Sequence, residues 1–155
     1  MGIKSFQGSR KQQAQITENT PIKVSDYMSR DLITFKPEQP VEDVINTLIR
    51  FKISGAPVVN DKNELVGIIS EGDCLKQISE SRYYNMPMEN HIVENRMIRD
   101  VETIDGNMNV FDAANKFLQS KRRRFPIVEN GKLVGLISQK DILKAALQLK
   151  GQNWK

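Results

Sequence analysis

The chain has one histidine, His91, and one cysteine, Cys74, among its 155 residues. A Cys/His zinc site is therefore not available within one chain. An intrachain disulfide is excluded, and a lone thiol fits a reducing compartment. Aromatic residues are scarce, at 6%, and offer no interleaved stacking platform for single-stranded nucleic acid. No apolar run approaches the ~20 residues of a membrane span, and the N-terminus lacks a secretory hydrophobic region. Met1-Gly2 opens like a myristoylation signal, but Phe6 stands where that signal has Ser or Thr. On these grounds the protein is read as cytoplasmic. Neither sign of charge dominates: 23 Lys and Arg against 19 Asp and Glu leave a net charge of +4, which repels no polyanion and selects no partner. No nucleophile stands with a base and an orienting acid, so an enzyme is not expected.

What the chain does have is a repeat. Residues 65–76 return as residues 133–144 with eight of twelve positions identical, Asp141 lying 68 residues after Asp73. Upstream, Thr34, Val41, Asp43, Asn46 and Pro57 meet Thr103, Val110, Asp112, Asn115 and Pro126 at a spacing of 69, so one residue is lost in the turn between these stretches. Two copies of this length are too few and too long for a solenoid. They imply a pseudo-twofold pair with a cleft between the halves.

Each copy has the same grammar. Val41, Val44, Ile45, Leu48 and Ile49 follow the spacing of an amphipathic helix, and Val110, Ala113, Ala114, Phe117 and Leu118 repeat it. A short β-type run follows at Pro57-Val58-Val59 or Pro126-Ile127-Val128, then a polar turn. A second strand spans 65–69 or 133–137, and a helix starts near Ser70 or Ser138. With a leading strand around Thr34 or Thr103, the expected class is α/β (α+β), a small sheet covered by helices. A further helical turn fits residues 25–28. Residues 1–21 read as a flexible tail, 22–80 as the first copy, 81–95 as a connector, 96–150 as the second copy, and 151–155 as a short tail holding Trp154. The connector is long for an empty loop and is expected to carry helix or to pack on the body. The last helix, with Ile142, Leu143, Ala145, Ala146, Leu147 and Leu149, is apolar around most of its circumference and needs cover on more than one face.

The polar residues at matching places each admit two readings. Ser70/Asp73 and Ser138/Asp141 fit a capping box at a helix start. They equally fit a carboxylate that accepts hydrogen bonds from ribose hydroxyls beside a helix N-terminus. Thr34 and Thr103 serve as strand formers or as hydroxyl contacts. Lys121-Arg122-Arg123-Arg124 is the densest charge in the chain and reads as a solvated helix end, a nucleic-acid patch or a phosphate grip. His91 is read as a surface residue of the connector. Cys74, at a helix start, is open to a lowered pKa, but its counterpart Ile142 points to packing.

The Val24-Ser25-Asp26-Tyr27-Met28 opening, the Gly55-Ala56-Pro57-Val58-Val59 strand and the two Gly-Ile/Leu-Ile-Ser-x-x-Asp segments, taken together and twice in order, resemble the tandem cystathionine-β-synthase (CBS) domain pair, or Bateman module, of the stand-alone bacterial type. The resemblance covers about residues 22–148. It implies two β-α-β-β-α units packed through their sheets, a homodimer of modules, and clefts that bind adenosine-containing ligands: AMP, ADP, ATP, NAD or S-adenosylmethionine. It implies no obligatory cofactor and no metal. With no enzyme, channel or DNA-binding domain in the remaining residues, regulation is expected to pass through a separate partner protein.

In the related γ subunits of AMP-activated kinase, basic residues two and three before the matching proline hold phosphates. Arg123 and Arg124 stand at those positions ahead of Pro126. The first copy has Ser54-Gly55-Ala56-Pro57 there, and small residues let a flat purine approach the backbone. By family geometry one site combines Ser138 and Asp141 with Thr34, Ser54, Gly55 and Ala56. The other combines Ser70 and Asp73 with Thr103, Arg123, Arg124 and Phe125. The expected function is thus regulatory adenine-nucleotide sensing. The alternatives are a ligand-free dimerisation scaffold and, less favoured, nucleic-acid binding through the basic run.

Overall fold

The computed structural model describes residues 22–84 and 91–153. Their elements run α1 (Val41–Phe51), β1 (Gly55–Val59), β2 (Leu65–Ser70), α2 (Glu71–Tyr84), α3 (Val110–Ser120), β3 (Arg124–Glu129), β4 (Lys132–Ser138) and α4 (Gln139–Asn153). Single 3-10 turns lie at Val24–Asp26 and Val93–Asn95. The expected flexible tail, the middle of the connector (85–90) and Trp154 lie outside the described residues. The start of the connector is helical, since α2 continues to Tyr84, and α4 likewise extends into the expected C-terminal tail.

The two copies repeat one another down to their helix ends. In α1, Val41, Val44 and Leu48 are buried, and in α3 the matching Val110, Ala113 and Phe117 are. Both helices close on a lysine in the left-handed region, Lys52 (φ 55°) and Lys121 (φ 58°), whose amide returns to the carbonyl of Leu48 or Phe117. That geometry satisfies a carbonyl the helix cannot. At the other end Pro40 gives α1 no side-chain cap, and the Val41 amide donates instead to the His91 carbonyl at 3.0 Å. The Val110 amide does the same to Ile22 at 2.9 Å, and the Asn109 side chain accepts from the Phe111 amide. His91, expected at the surface, is half-buried and works through its backbone.

Strands β1 and β2 pair antiparallel from Gly55↔Ser70 to Val59↔Leu65, with an irregularity between Val58 and Val59. Strands β3 and β4 form a second two-stranded sheet. The residue by which the copies differ falls in their turns. Asn60 holds the longer turn, its Oδ1 accepting from the amides of Lys62 and Glu64. The shorter turn passes through Asn130 (φ 52°) and Gly131 (φ 79°), the two positive-φ positions that a tight hairpin of matching twist requires. The expected leading strand is reduced to one parallel bridge per copy, Phe35 with Val58 and Ile104 with Ile127. The chain turns at once afterwards, closed by Gln39 N–H to Lys36 at 3.1 Å and Met108 N–H to Asp105 at 3.0 Å.

Two compact units result, and they do not coincide with the two copies. One comprises Asp31–Thr103 with Val128–Val134; the other joins residues 22–30 to Ile104–Ile127 and the chain from Gly135 onward. The cause is an exchange of opening segments. In the second unit Val24 and Ser25 donate to the carbonyls of Met108 and Gly106, and Ser29 pairs with Leu136. In the first unit Val93 donates to Gln39, and Ile68 pairs with Ile98. The glycine of each Gly-Ile/Leu-Ile-Ser segment makes this docking sterically possible. A Cβ on Gly67 would lie 2.6 Å from Met97 Sδ and 2.9 Å from the Ile98 carbonyl. A Cβ on Gly135 would collide with Met28 Sδ and lie 3.0 Å from the Ser29 carbonyl.

The core of the first unit gathers Val41, Val44 and Leu48 of α1 with Ala56, Val58, Ile69, Cys74, Val93 and Met97. In the second unit the fully buried Phe125 packs on Phe117, ring centroids 4.7 Å apart and tilted by 52°. Each such side chain contributes roughly 1.5–3 kcal/mol on burial. Gln77 of α2 is buried, donating to Ser81 Oγ at 2.8 Å, and on the same helix Glu80 forms an ion pair with Arg96. Among the described residues no helix is long and apolar enough to cross a membrane.

Candidate functional site

Both Ser-x-x-Asp segments stand where a strand becomes a helix, β2 into α2 and β4 into α4. The serine precedes the first helical residue, and the aspartate is the third. Asp73 Oδ2 accepts from the Ser70 amide at 2.9 Å, and Asp141 Oδ2 accepts from the Ser138 amide at 2.9 Å. In the second copy Ser138 Oγ accepts in return from the Asp141 amide at 3.2 Å, a complete capping box. In the first copy the Ser70 hydroxyl donates to Asp73 Oδ2 at 3.1 Å. The capping reading of these residues is therefore realised in both copies. In both, the cap is made by Oδ2 alone, which leaves Oδ1 of each aspartate as an acceptor the cap does not use. Both aspartates are half-buried and both helix N-termini carry partial positive charge.

The start of β1 lies directly against the first turn. Gly55 pairs with Ser70, and the Glu71 amide donates to the Ser54 carbonyl at 2.9 Å. A Cβ on Gly55 would lie 3.0 Å from the Ile69 carbonyl and 3.2 Å from Ser70 Cα. A side chain at Gly55 would crowd the paired strand, so the strand pairing itself favours a small residue there. Ser54 and Thr34 are half-buried. Ala56 faces the core, and Pro57 is buried with its carbonyl accepting from Phe35. The side chains of these last two are taken up by packing, which leaves only their backbone for any other contact.

In the second copy the basic run occupies the matching place. The Arg122 carbonyl accepts from Gln139 Nε2 at 3.2 Å, which holds the run against the start of α4. Lys121, Arg122 and Arg123 are exposed and Arg124 is half-buried at the first position of β3. Phe125, an expected ligand contact, is fully buried on Phe117, with Lys116 Nζ 5.8 Å from its ring. Its ring belongs to the core. Thr103 is exposed just before the Ile104 bridge. Cys74 is a packing residue: burial, then the Asp73 and Glu71 carboxylates, push its thiol up to about 11. Among the described residues no group of three His, Cys, Asp or Glu is placed to hold a metal ion.

A strand-turn-helix built twice, each with an aspartate cap, a small or basic strand start and an opening segment docked on a glycine, defines a paired module. The sequence model of the CBS domain matches residues 24–80 and 92–148. The chain belongs to the CBS domain family, as a tandem pair. It resembles the chloroplastic protein CBSX2 of Arabidopsis thaliana, at 28% identity over 153 residues covering 82% of this chain and 64% of CBSX2. The crystal structure of CBSX2 in complex with AMP superposes with a TM-score of 0.73 at 31% identity, covering 83% of this chain and 98% of that one. The CBS domain pair of protein MJ0100, in complex with 5′-methylthioadenosine and S-adenosylmethionine, has a TM-score of 0.65 at 26% identity, covering 79% and 97%. Protein MJ1225 of Methanocaldococcus jannaschii is 29% identical over 136 residues, covering 88% of this chain and 45% of MJ1225. Across such curated relatives the chain spans 45% to 65% of their length.

Proposed function

We propose that the chain is a regulatory module that binds an adenosine-containing ligand and reports its occupancy to a separate partner protein. The observation that carries this reading is the divided carboxylate: Asp73 and Asp141 each cap a helix with Oδ2 and retain Oδ1 for a ribose hydroxyl. Arg123 and Arg124, at the start of β3, supply the charge that a phosphate group selects, and arginine can offer it a bidentate fork. Ser54, Gly55 and Ala56 offer backbone groups to a base, with Thr34 and Thr103 as hydroxyl donors and Ser70 and Ser138 beside the sugar. AMP is favoured by the bound CBSX2 relative, with ADP or ATP next and NAD or S-adenosylmethionine after them. The protein acts as a homodimer in the cytoplasm, and ligand biases its conformation by differential affinity for two states.

A thermal-shift panel of AMP, ADP, ATP, NAD and S-adenosylmethionine tests the reading. A bound ligand at 100 times its dissociation constant stabilises the fold by about 2.7 kcal/mol. A melting point that no member of the panel moves overturns it and leaves the ligand-free scaffold.

A further inference from the structure

The two opening segments dock with the same backbone and with different side chains. In the second unit Ser29 and Leu136 exchange amide bonds at 2.8 and 3.0 Å, and in the first Ile98 and Ile68 exchange them at 2.8 and 2.9 Å. Val24 and Val93 are fully buried, and Met28 and Met97 lie over the matching glycines. Between these anchors the copies part. Tyr27 of one segment is matched by Arg96 of the other. Ala145, Gln148 and Leu149 of α4 are matched by Gln77, Glu80 and Ser81 of α2. Ala145 and Leu149 are buried and apolar. At the same places the first unit is polar: Gln77 is fully buried, and the Arg96 and Glu80 side chains are 14% and 33% exposed.

This polar seat is satisfied only in part. Gln77 Nε2 donates to Ser81 Oγ at 2.8 Å, and Arg96 pairs with Glu80. Gln77 Oε1 and Arg96 Nε are buried with no hydrogen-bond partner among the described residues. A buried ion pair gains little over apolar packing of the same volume, because both charges are taken out of water. A buried donor or acceptor left unpaired carries its full desolvation cost. Lifting the segment returns Arg96, Glu80 and Gln77 to water, so opening recovers that cost. An apolar seat such as that of Ala145 and Leu149 recovers nothing on opening and loses its burial. The consequence falls on β2, because Gly67 under Met97 and Ile68 paired with Ile98 lead directly into the Ser70–Asp73 cap.

We infer that residues 92–98 form a releasable strap on β2, which opens while the rest of the first unit stays folded, with the Arg96–Glu80 pair as its latch. When closed, the strap holds the strand that ends in Ser70 and positions Asp73; when open, it frees the edge of that strand. Such sub-global openings are the elements from which conformational switches are drawn. The inference does not rest on the ligand reading, since every group it uses lies in the first unit and away from the proposed phosphate grip.

Native-state hydrogen exchange of the full chain, read residue by residue by NMR, tests it. In the wild type the amides of Val93, Met97 and Ile98 are protected at least about tenfold less than those of Leu48 and Val59 in the same unit. Low urea accelerates exchange at Leu48 and Val59 and leaves the strap amides nearly unmoved, because strap opening exposes little surface. Glu80→Gln leaves the Arg96 charge uncompensated and lowers strap protection about tenfold, a value discounted for the partial exposure of Glu80. Gln77→Ala/Ser81→Leu/Arg96→Tyr gives the first unit the seat of the second and raises strap protection at least about tenfold. Strap amides as protected as Leu48 and Val59, a urea dependence equal to theirs, or a Glu80→Gln protein with unaltered strap protection would each overturn the inference. So would a folded triple variant whose strap exchanges faster than that of the wild type.

Discussion

Replacing Asp141 in two ways separates the two tasks proposed for one carboxylate. In Asp141→Ala the Ser138 amide loses its acceptor at 2.9 Å, and loss of such a cap costs about 1 kcal/mol, within a range of roughly 0.5–2. For a chain of this size that is a fall of about 2–4 °C in melting temperature. In Asp141→Asn the amide oxygen can still accept from Ser138, so only the favourable charge at the start of α4 is lost, about 0.3–1 kcal/mol. Ligand response divides differently. If Oδ1 accepts from a ribose hydroxyl, that charge-assisted bond is worth about 1.5–3 kcal/mol, a loss of roughly 10- to 100-fold in affinity when the charge is removed. With AMP at 100 times the wild-type dissociation constant, stabilisation then falls from about 2.7 kcal/mol to about 0.4–1.4 kcal/mol in both variants. Differential scanning fluorimetry with and without AMP reads both quantities. An Asp141→Asn protein that gains as much from AMP as the wild type, while Asp141→Ala melts lower, would show that capping is the whole role of Asp141.

Three further outcomes are expected. Gly67→Ala and Gly135→Ala each lose about 1–3 kcal/mol in urea unfolding, because a Cβ at either site meets the methionine and backbone of a docked opening segment; a neutral result at both would sink the steric account of that docking. Arg123→Ala weakens AMP binding about tenfold and leaves adenosine binding unchanged in calorimetry, whereas equal losses for both ligands would remove Arg123 from the phosphate. Cys74, with its thiol raised from 9.0 to about 11, stays protonated in the folded chain where the unfolded chain has lost the proton. The folded state therefore binds more protons between pH 9 and 11, and stability falls as pH rises through that window. Relative to Cys74→Ala, the wild type should lose ground from pH 9 to 11, and parallel pH curves would contradict the burial of the thiol.

The helices, the hairpins and both helix starts were legible in the sequence because each is written in residues three to eight positions apart. Val41, Val44 and Leu48 form one stripe, and Ser138 and Asp141 one turn. The exchange of opening segments was not legible, because Met28 docks on Gly135 and the Ile22 carbonyl meets Val110. No periodicity speaks across such separations. The signal that was present, a methionine four residues into each opening and a glycine in each second strand, looks like ordinary core and turn chemistry until the two are brought together. Burial within a stripe was legible only in part for the same reason: spacing marks Ile49 and Leu118 as apolar, but not whether their own unit covers them.

The aspartates needed the structure for a different reason. Capping and ligand contact look like rivals for one residue when it is a letter in a sequence, and the choice of aspartate over the longer glutamate at that position decides neither. A carboxylate has two oxygens. In both copies the backbone amide of the serine takes Oδ2 at the same 2.9 Å, and that bond fixes the orientation of Oδ1. On the proposed reading the cap is then the device that positions the ligand acceptor. If the second oxygen is used as proposed, the ligand inherits a group already held in place before it arrives, so less side-chain entropy is lost on binding.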